Sequence, residues 1–307
     1  MKTVQRLTSL YQLVCSQCER PYSAFKEQTF STCCNKPLVA QYNLANVPPK
    51  TVLYNRPATM WRYKEVLPVL EEENIVSLGE GMTPMLELRR LQAVYELPNL
   101  MLKDESLNPT GSFKARGLSA AVSKAKEFGV QSCIIPTAGN AGGALAAYCA
   151  KADIKAIVVM PRHTPQVFKD ECELYGAELI LVDGLISDCA KKVAQLKESI
   201  SCFDISTMKE PYRLEGKKTM GYEIAEQNNW TLPDVILYPT GGGTGLIGMW
   251  KAFKEMQQMG WIGDKLPRLY AIQAENCQPV VQTWEGLQTN AKSYLGKPSL
   301  ANGLAVP

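Results

Sequence analysis

The stretch Asn108-Pro109-Thr110-Gly111-Ser112-Phe113-Lys114-Ala115-Arg116-Gly117 places a turn, a helix start and one lysine directly after an apolar segment. A lysine ammonium at a helix N-terminus is electrostatically unfavourable, because that end of the helix already carries partial positive charge. Such a position lowers the pKa of the amine, and a neutral amine is what reaction with a carbonyl group requires. The alternative interpretation of Lys114 is an ordinary, solvated surface lysine. The other motifs of the chain distinguish a reactive amine from a surface one.

Length and composition narrow the class of protein. With 307 residues, of which 46% are hydrophobic, the chain can bury a large core and is expected to form two lobes. A net charge of +3 is too small to indicate a nucleic-acid surface. The sequence predicts no membrane-spanning segment, and no secretory hydrophobic region follows Met1–Arg6, so we expect a cytoplasmic protein. The ten cysteines fit reduced thiols better than a disulfide framework.

The chain contains a single histidine, His163. One histidine rules out metal sites built from several histidines, and it leaves a nucleophile–histidine mechanism dependent on this residue alone. His163 lies between Arg162 and Thr164 in a predicted loop, where an ordinary surface role is the simpler interpretation. Proton transfer is therefore expected from lysine, carboxylate, tyrosine or a cofactor.

From residue 100 onward, short apolar runs alternate with segments of helical periodicity. Continuous apolar runs of this kind are typical of strands that are buried on both faces of a parallel sheet. The pattern predicts an α/β fold with mostly parallel sheets covered by helices. The predicted strands are 100–103, 133–136, 156–160, 179–182, 235–238 and 269–274.

The first 45 residues have a different character and hold four cysteines. Cys15 and Cys18 form a Cys-x-x-Cys pair, while Cys33 and Cys34 are adjacent in the sequence. A second Cys-x-x-Cys pair would need a cysteine at Ser31. Adjacent cysteines are expected to point apart, so the preferred interpretation is a small knuckle without a bound metal; zinc remains the alternative.

Three loops each follow a predicted strand and precede a helix. The first contains Lys114. The second is Thr137–Gly143, which includes Ala138, Gly139 and Asn140. The third is Thr240–Gly245, which includes Gly241, Gly242, Gly243 and Thr244. In an open α/β sheet such loops gather at the carboxyl ends of the strands, where ligands bind.

The chemistry of the three loops is complementary. A glycine-rich turn at a helix N-terminus presents backbone N–H groups to a phosphate, and the threonine and asparagine of the second loop supply polar contacts to a planar ring. A tight strand-to-helix turn without a ligand is the alternative interpretation of the third loop. Taken together with an imine-forming lysine, the three loops point to pyridoxal 5'-phosphate.

The segment Pro109–Lys114 resembles the cofactor-lysine motif of fold-type-II pyridoxal-phosphate enzymes, and of the threonine synthase family in particular. Further resemblance lies in the segments 79–84, 102–105, 138–140 and 215–219, and in the Cys15-x-x-Cys18 knuckle with 37–44. The resemblance implies a two-lobed fold of the tryptophan synthase β type. It implies a knuckle over 1–45, a large cofactor-binding lobe over 46–106 and 205–307, a small lobe over 107–204, and a homodimer.

The resemblance also implies roles for residues. Lys114 would form the Schiff base with the cofactor and move protons on the substrate, and Asn140 would bind the oxygen of the ring 3-hydroxyl. Thr137, Ala138 and Gly139 would face the substrate carboxylate, and the loop Gly241–Gly245 would hold the cofactor phosphate. The implied substrate is O-phosphohomoserine, from which phosphate leaves before water adds at the β-carbon to give threonine.

Two departures from the family pattern keep alternatives open. Ala115 stands where threonine synthases commonly carry aspartate, which leaves a threonine or serine dehydratase or a catalytically silent cofactor-binding homologue as alternatives. The family residue that faces the pyridine nitrogen is expected beyond Pro307. Candidates for a second, substrate-phosphate site are Arg116, Arg162 and Lys217.

Overall fold

The structure, a computed structural model, describes residues 6–286 and 301–304. The strands are β1 (Leu10–Cys15), β2 (Pro21–Tyr22), β3 (Leu38–Tyr42), β4 (Met85–Glu87), β5 (Met101–Lys103), β6 (Ser132–Pro136), β7 (Lys155–Pro161), β8 (Glu178–Val182), β9 (Phe203–Asp204), β10 (Val235–Pro239) and β11 (Arg268–Ile272). The helices are α1 (Arg89–Tyr95), α2 (Lys114–Glu127), α3 (Ala141–Ala152), α4 (Gln166–Leu174), α5 (Ile186–Leu196), α6 (Tyr212–Gln227), α7 (Thr244–Gln258) and α8 (Pro279–Glu285). Short 3-10 turns lie at 44–46, 50–55, 60–66, 72–74, 105–107, 109–111 and 302–304.

A four-stranded parallel sheet with the order β8-β7-β6-β9 forms the central layer. Its strands β6 and β7 are almost entirely buried, as expected for apolar runs covered by helices on both faces. The helices α3 and α5 both pack against this sheet. The α/β architecture predicted from the alternating pattern is confirmed.

The remaining predicted strands occur, but not in one sheet. Strands β10 and β11 pair in parallel as a separate two-stranded sheet. Strand β5, predicted at 100–103, pairs antiparallel with β4. The connection between β4 and β5, residues 88–100, holds the seven-residue helix α1.

The N-terminal segment forms a three-stranded antiparallel sheet with the order β2-β1-β3. Its inward residues Leu13, Leu38 and Ala40 belong to the same buried cluster as Tyr222 of α6. The sheet is therefore packed on the main body of the chain, and it ends at the four cysteines. The predicted boundaries of the knuckle and the two lobes stay predictions.

Helices α2 and α6 cross at very close range because glycines occupy the crossing point. A Cβ at Gly216 would lie 2.0 Å from the carbonyl oxygen of Arg116, and one at Gly117 would lie 3.0 Å from that of Arg213. Since side chains are absent there, the first turn of α2 lies directly against the first turns of α6. This contact fixes the position of Lys114.

No α-helix in the described part of the chain is both long enough and apolar enough to cross a membrane.

We expect Gly216→Ala to lower the free energy of unfolding by about 1–3 kcal/mol, because the new methyl group forces two packed backbones apart. Chemical denaturation of the purified protein measures the change. The matched control is Gly263→Ala, whose Cβ would enter open space. Equal stability of the two variants would contradict the close crossing.

Candidate active site

Lys114 is the first residue of α2 and is half-buried. Its Nζ lies 4.1 Å from the centroid of the Phe113 ring. Burial lowers the pKa of this amine to about 8, and the nearby guanidinium of Arg213 adds to the effect. The direction is the one expected from the sequence, but the first cause is loss of water rather than the helix terminus.

The turn that precedes Lys114 holds an unusual backbone. Thr110 has φ of 60°, in the left-handed region that a β-branched residue rarely adopts. Its Oγ1 is buried, and among the described residues it has no hydrogen-bond partner. Each of these features costs about 1–3 kcal/mol, and such costs concentrate at ligand-binding turns.

The second loop, Thr137–Asn140, connects β6 to α3. Thr137 is buried, and its Oγ1 accepts a hydrogen bond from the backbone N–H of Gly139 at 3.2 Å. Ala138 and Asn140 are half-buried, and the Asn140 side chain makes no hydrogen bond to any residue that the structure describes. The amide of Asn140 is therefore available to a ligand at the start of α3, a helix that contacts the turn 109–111.

The third loop, Gly241–Gly245, connects β10 to α7. Gly243 has φ of +73°, and a Cβ at Gly245 would lie 1.9 Å from the Oη of Tyr238. Both positions therefore require glycine. Thr244 is the first residue of α7, so the loop presents backbone N–H groups at the positive end of a 15-residue helix.

Lys217 connects the third loop with the first. Its Nζ donates a hydrogen bond to Thr244 Oγ1 at 2.6 Å. It also lies 5.1 Å from the centroid of the Phe113 ring, the ring beside which Lys114 lies. Lys217 is only 1% exposed. Burial, followed by repulsion from Arg213 and Lys114, holds its pKa well below the usual range.

A third buried cation, Arg213, belongs to the same group. One of its terminal nitrogens donates to the carbonyl of Ile205 at 2.8 Å and to Thr207 Oγ1 at 3.3 Å, whereas its Nε is buried and unpartnered within the described residues. The methyl carbon of Thr207 lies 3.5 Å from the Cβ position of Gly242, so this group borders the glycine loop. Burial raises the pKa of the neighbouring Glu210 to about 7 and Arg213 opposes that rise, so Glu210 only partly balances the cations.

Arg116, two residues after Lys114, is fully buried and saturated with acceptors. Its terminal nitrogens contact the two carboxylate oxygens of Glu223 at 2.5 and 2.7 Å, and its Nε contacts Glu105 at 2.6 Å. Lys103 also contacts Glu223 at 2.8 Å. These two cations hold the pKa of Glu223 at about 2 despite its complete burial.

The three cations that the sequence suggested for a substrate-phosphate site have different surroundings in the structure. Arg116 is occupied by Glu105 and Glu223. Arg162 is exposed and pairs with Asp183 at the surface. Lys217 alone of the three lies beside the glycine loop.

Sequence reasoning named Lys217 on α6 but missed the other buried charges of that helix. Five charged residues of α6 are buried, although charges spread along a helix usually indicate solvent exposure. The signal that could have found them is the absence of an apolar stripe between 212 and 227. The five are Arg213, Glu215, Lys217, Lys218 and Glu223.

The N-terminal cysteines correct one expectation. Cys33 and Cys34 do not point apart: their Sγ atoms and those of Cys15 and Cys18 all lie within 4.8 Å of one another. The backbone turns back on itself at 31–36, which brings both side chains to the same side. The geometric objection to a metal at this place is removed.

The family model described as "Pyridoxal-phosphate dependent enzyme" matches residues 76–307. The chain is 34% identical to the threonine synthase of Methanocaldococcus jannaschii over 297 residues, which cover 95% of the chain and 72% of that protein. It is 35% identical to the threonine synthase of Synechocystis over 73% of the chain, spanning 60% of that protein.

Solved structures with the same fold include maize serine racemase and the T.th. threonine deaminase. The TM-scores are 0.64 and 0.65, and the sequence identities are 22% and 24%. The matches cover 73% and 84% of the chain and 65% and 75% of those proteins. At these identities the likeness shows the fold, with its two-lobed fold-type-II arrangement, and nothing of the substrate.

We expect Glu223→Gln to lower the free energy of unfolding at pH 7 by about 3–5 kcal/mol, because it leaves Arg116 and Lys103 without their shared carboxylate. The folded-state pKa of Glu223 is lowered to about 2, so its contribution is present above the ordinary glutamate pKa near 4.5 and is lost as the pH falls toward 2.

The difference between wild type and variant should therefore shrink below pH 4.5 in denaturation curves recorded across that range. The control is Glu87→Gln, which removes an exposed pair with Arg89 and should change stability by less than about 1 kcal/mol. A difference that persists unchanged to about pH 3 would contradict the ion-pair account.

Proposed function

The chain belongs to the threonine synthase family of pyridoxal-phosphate-dependent enzymes, and from that premise we propose that it converts O-phosphohomoserine and water to threonine and phosphate. Its membership makes it a pyridoxal-phosphate-dependent lyase. The specific substrate and the roles of individual residues are the proposal.

The described residues fit the cofactor. The Lys114 amine has a lowered pKa, the glycine loop carries N–H groups and the Lys217 cation, and Asn140 has an amide without a partner among the described residues. When bound, the cofactor supplies an electron sink for a carbanion formed at the substrate. We assign Lys114 to covalent attachment of the cofactor, Asn140 to the ring hydroxyl, and Gly241–Gly245 with Thr244 to the phosphate.

The observation that carries the substrate proposal is the excess of buried positive charge around Lys114. Lys114, Arg213 and Lys217 are buried or half-buried cations that repel one another. The carboxylates near Arg213 are Glu210, whose pKa is raised to about 7, and Asp204, which already pairs with Lys197 and Lys209. A cofactor phosphate uses part of that charge. Covalent attachment occupies Lys114, so the charge left for a phosphorylated substrate is that of Arg213 and Lys217, whereas threonine or serine brings no second phosphate.

Proton transfer falls to Lys114. With a pKa of about 8, about a tenth of its amine is neutral at pH 7 before the cofactor binds. Once released from covalent attachment, a buried amine at this place is a base for the substrate carbons. Thr137, Ala138 and Gly139, at the end of β6, are assigned to the substrate carboxylate.

The argument for a dehydratase depends on Ala115, and the surroundings of this residue weaken that argument. Ala115 is completely buried in the main apolar cluster. An aspartate there would be a buried carboxylate, which costs several kcal/mol unless it is paired. The apolar surroundings of Ala115 therefore suit alanine, and we explain the departure by these surroundings rather than by a different reaction.

Protein reconstituted with pyridoxal phosphate is expected to release inorganic phosphate from O-phosphohomoserine and to form threonine in equal amount. Ammonia release from threonine should be at least about 100-fold slower in kcat/KM, because the cationic group is left unpaired. Colorimetric phosphate and ammonia assays on the same preparation measure both. Lys114→Ala should lack the visible absorption band of lysine-bound cofactor and both activities.

Ammonia release without phosphate release would assign a dehydratase. A normal absorption band with neither product would assign a silent homologue. Either result overturns the substrate proposal while leaving the family membership intact.

We expect Lys217→Met to weaken binding of pyridoxal phosphate by about 10- to 150-fold, the equivalent of one lost charge-assisted hydrogen bond. The same substitution should leave unchanged or raise the thermal stability of the cofactor-free protein, because it removes a buried, repelled cation.

Equilibrium titration and thermal unfolding give the two readouts for Lys217→Met. The control is Lys191→Met, which removes a lysine with 75% of its side chain exposed. A loss of stability together with unchanged cofactor affinity would mean that Lys217 is structural.

A further inference from the structure

Two turns of the N-terminal segment have the same backbone hydrogen bonds. In the first, Cys15 N–H donates to the Arg20 carbonyl at 3.0 Å, and Glu19 N–H donates to the Cys15 carbonyl at 2.9 Å. Glu19 has φ of 57°, in the left-handed region. The chain thus reverses tightly between β1 and β2.

The second turn repeats this pattern 16 residues later. Ser31 N–H donates to the Lys36 carbonyl at 2.8 Å, and Asn35 N–H donates to the Ser31 carbonyl at 3.0 Å. Asn35 has φ of 52°. Position for position, Ser31 therefore corresponds to Cys15, and Cys34 corresponds to Cys18.

Paired turns with thiols at their first and fourth positions are the usual frame of a four-cysteine zinc site. Here one of the four frame positions holds Ser31. Cys33, at the third position of the second turn, supplies a thiol in its place: its Sγ lies 3.4 Å from that of Cys18, and all four Sγ atoms lie within 4.8 Å of one another. Tetrahedral ligation with Zn–S bonds of about 2.3 Å places sulfurs about 3.8 Å apart, which this cluster nearly meets.

We propose that Cys15, Cys18, Cys33 and Cys34 bind one zinc ion, with Cys33 as the displaced fourth ligand. Zinc binding releases the four thiol protons and forms four Zn–S bonds, with no change of oxidation state.

Ser31 has a defined role beside the metal. Its hydroxyl is buried, accepts a hydrogen bond from Lys36 N–H at 3.0 Å and lies 3.3 Å from Cys15 Sγ. Once Cys15 is a thiolate, the hydroxyl proton has that sulfur as its acceptor. Ser31 therefore orients a ligand rather than binding the ion.

The zinc ion would stabilise the segment 16–37, which has few strand pairings to hold it in place. Strand β2 pairs with β1 over only two residues, and no strand occurs between 23 and 37, all of which the structure describes. Linking the turn 31–36 to the turn 15–20 fixes this segment against β1. The proposal is independent of the proposed reaction, since it concerns metal content and not turnover.

Metal analysis of the full chain, purified under reducing conditions, should give one zinc per chain. Replacement by Co²⁺ should give the intense thiolate-to-cobalt charge-transfer band and visible d–d bands of a tetrahedral four-thiolate site. Cys33→Ser should weaken zinc binding at least about 10-fold and change the cobalt spectrum to that of a site with three thiolates. The double variant Ser31→Cys, Cys33→Ser should restore the wild-type spectrum, because it returns the fourth thiol to the frame position.

Cys202→Ser, which alters a thiol outside the cluster, is the control and should leave metal content and spectrum unchanged. Metal-free wild-type chain with four reactive thiols, or with a Cys18–Cys33 disulfide in place of two of them, would overturn the proposal. A four-thiolate cobalt spectrum in Cys33→Ser would overturn the assignment of the fourth ligand. Both results leave the reaction assays unaffected.

Discussion

The buried pair of Arg116 with Glu223 fixes the geometry on which the candidate site depends. It joins α2 to α6 at the place where Gly216 lets the two backbones meet, and Lys103 and Glu105 complete it from the β5 side. A buried ion pair of this kind adds little net stability compared with an apolar contact. It does restrict the two helices to one arrangement, because any other would leave a buried charge without its partner. The start of α2, and with it Lys114, is held in that arrangement.

Lys114 and Arg116 lie two residues apart on one helix and have opposite surroundings. Arg116 has carboxylates for nearly every donor, and its charge is stabilised. Lys114 and Lys217 lie beside the same phenylalanine ring with no carboxylate hydrogen-bonded to either among the described residues. Buried charge is neutralised at Arg116 but poorly balanced at Lys114 and Lys217, and this contrast supports the proposal that an anionic ligand binds beside them.

Much of this could be predicted from the sequence. The apolar runs located β6, β7, β8, β10 and β11 within one or two residues at most ends. Double cover explains the continuous signal of β6 and β7, whereas β10 and β11 alternate between exposed and half-buried residues. The antiparallel pairing of β5 could not be predicted, because its partner β4 is only three residues long and carries too short a pattern to mark a strand. Local spacing also failed for Cys33, where hydrogen bonds of the turn 31–36 decide the direction of the side chain, and for Arg213, whose burial depends on the packing of α6.

The arrangement of charge has a kinetic consequence. The whole chain carries a net charge of only +3, yet Lys114, Arg213 and Lys217 are gathered at one place. A weakly charged surface with a concentrated positive site attracts anions at long range without binding polyanions over its whole surface. If the proposed phosphorylated substrate binds here, the positive site speeds its encounter with the protein. Added salt shortens the reach of the field and should slow that encounter more than it weakens the final complex.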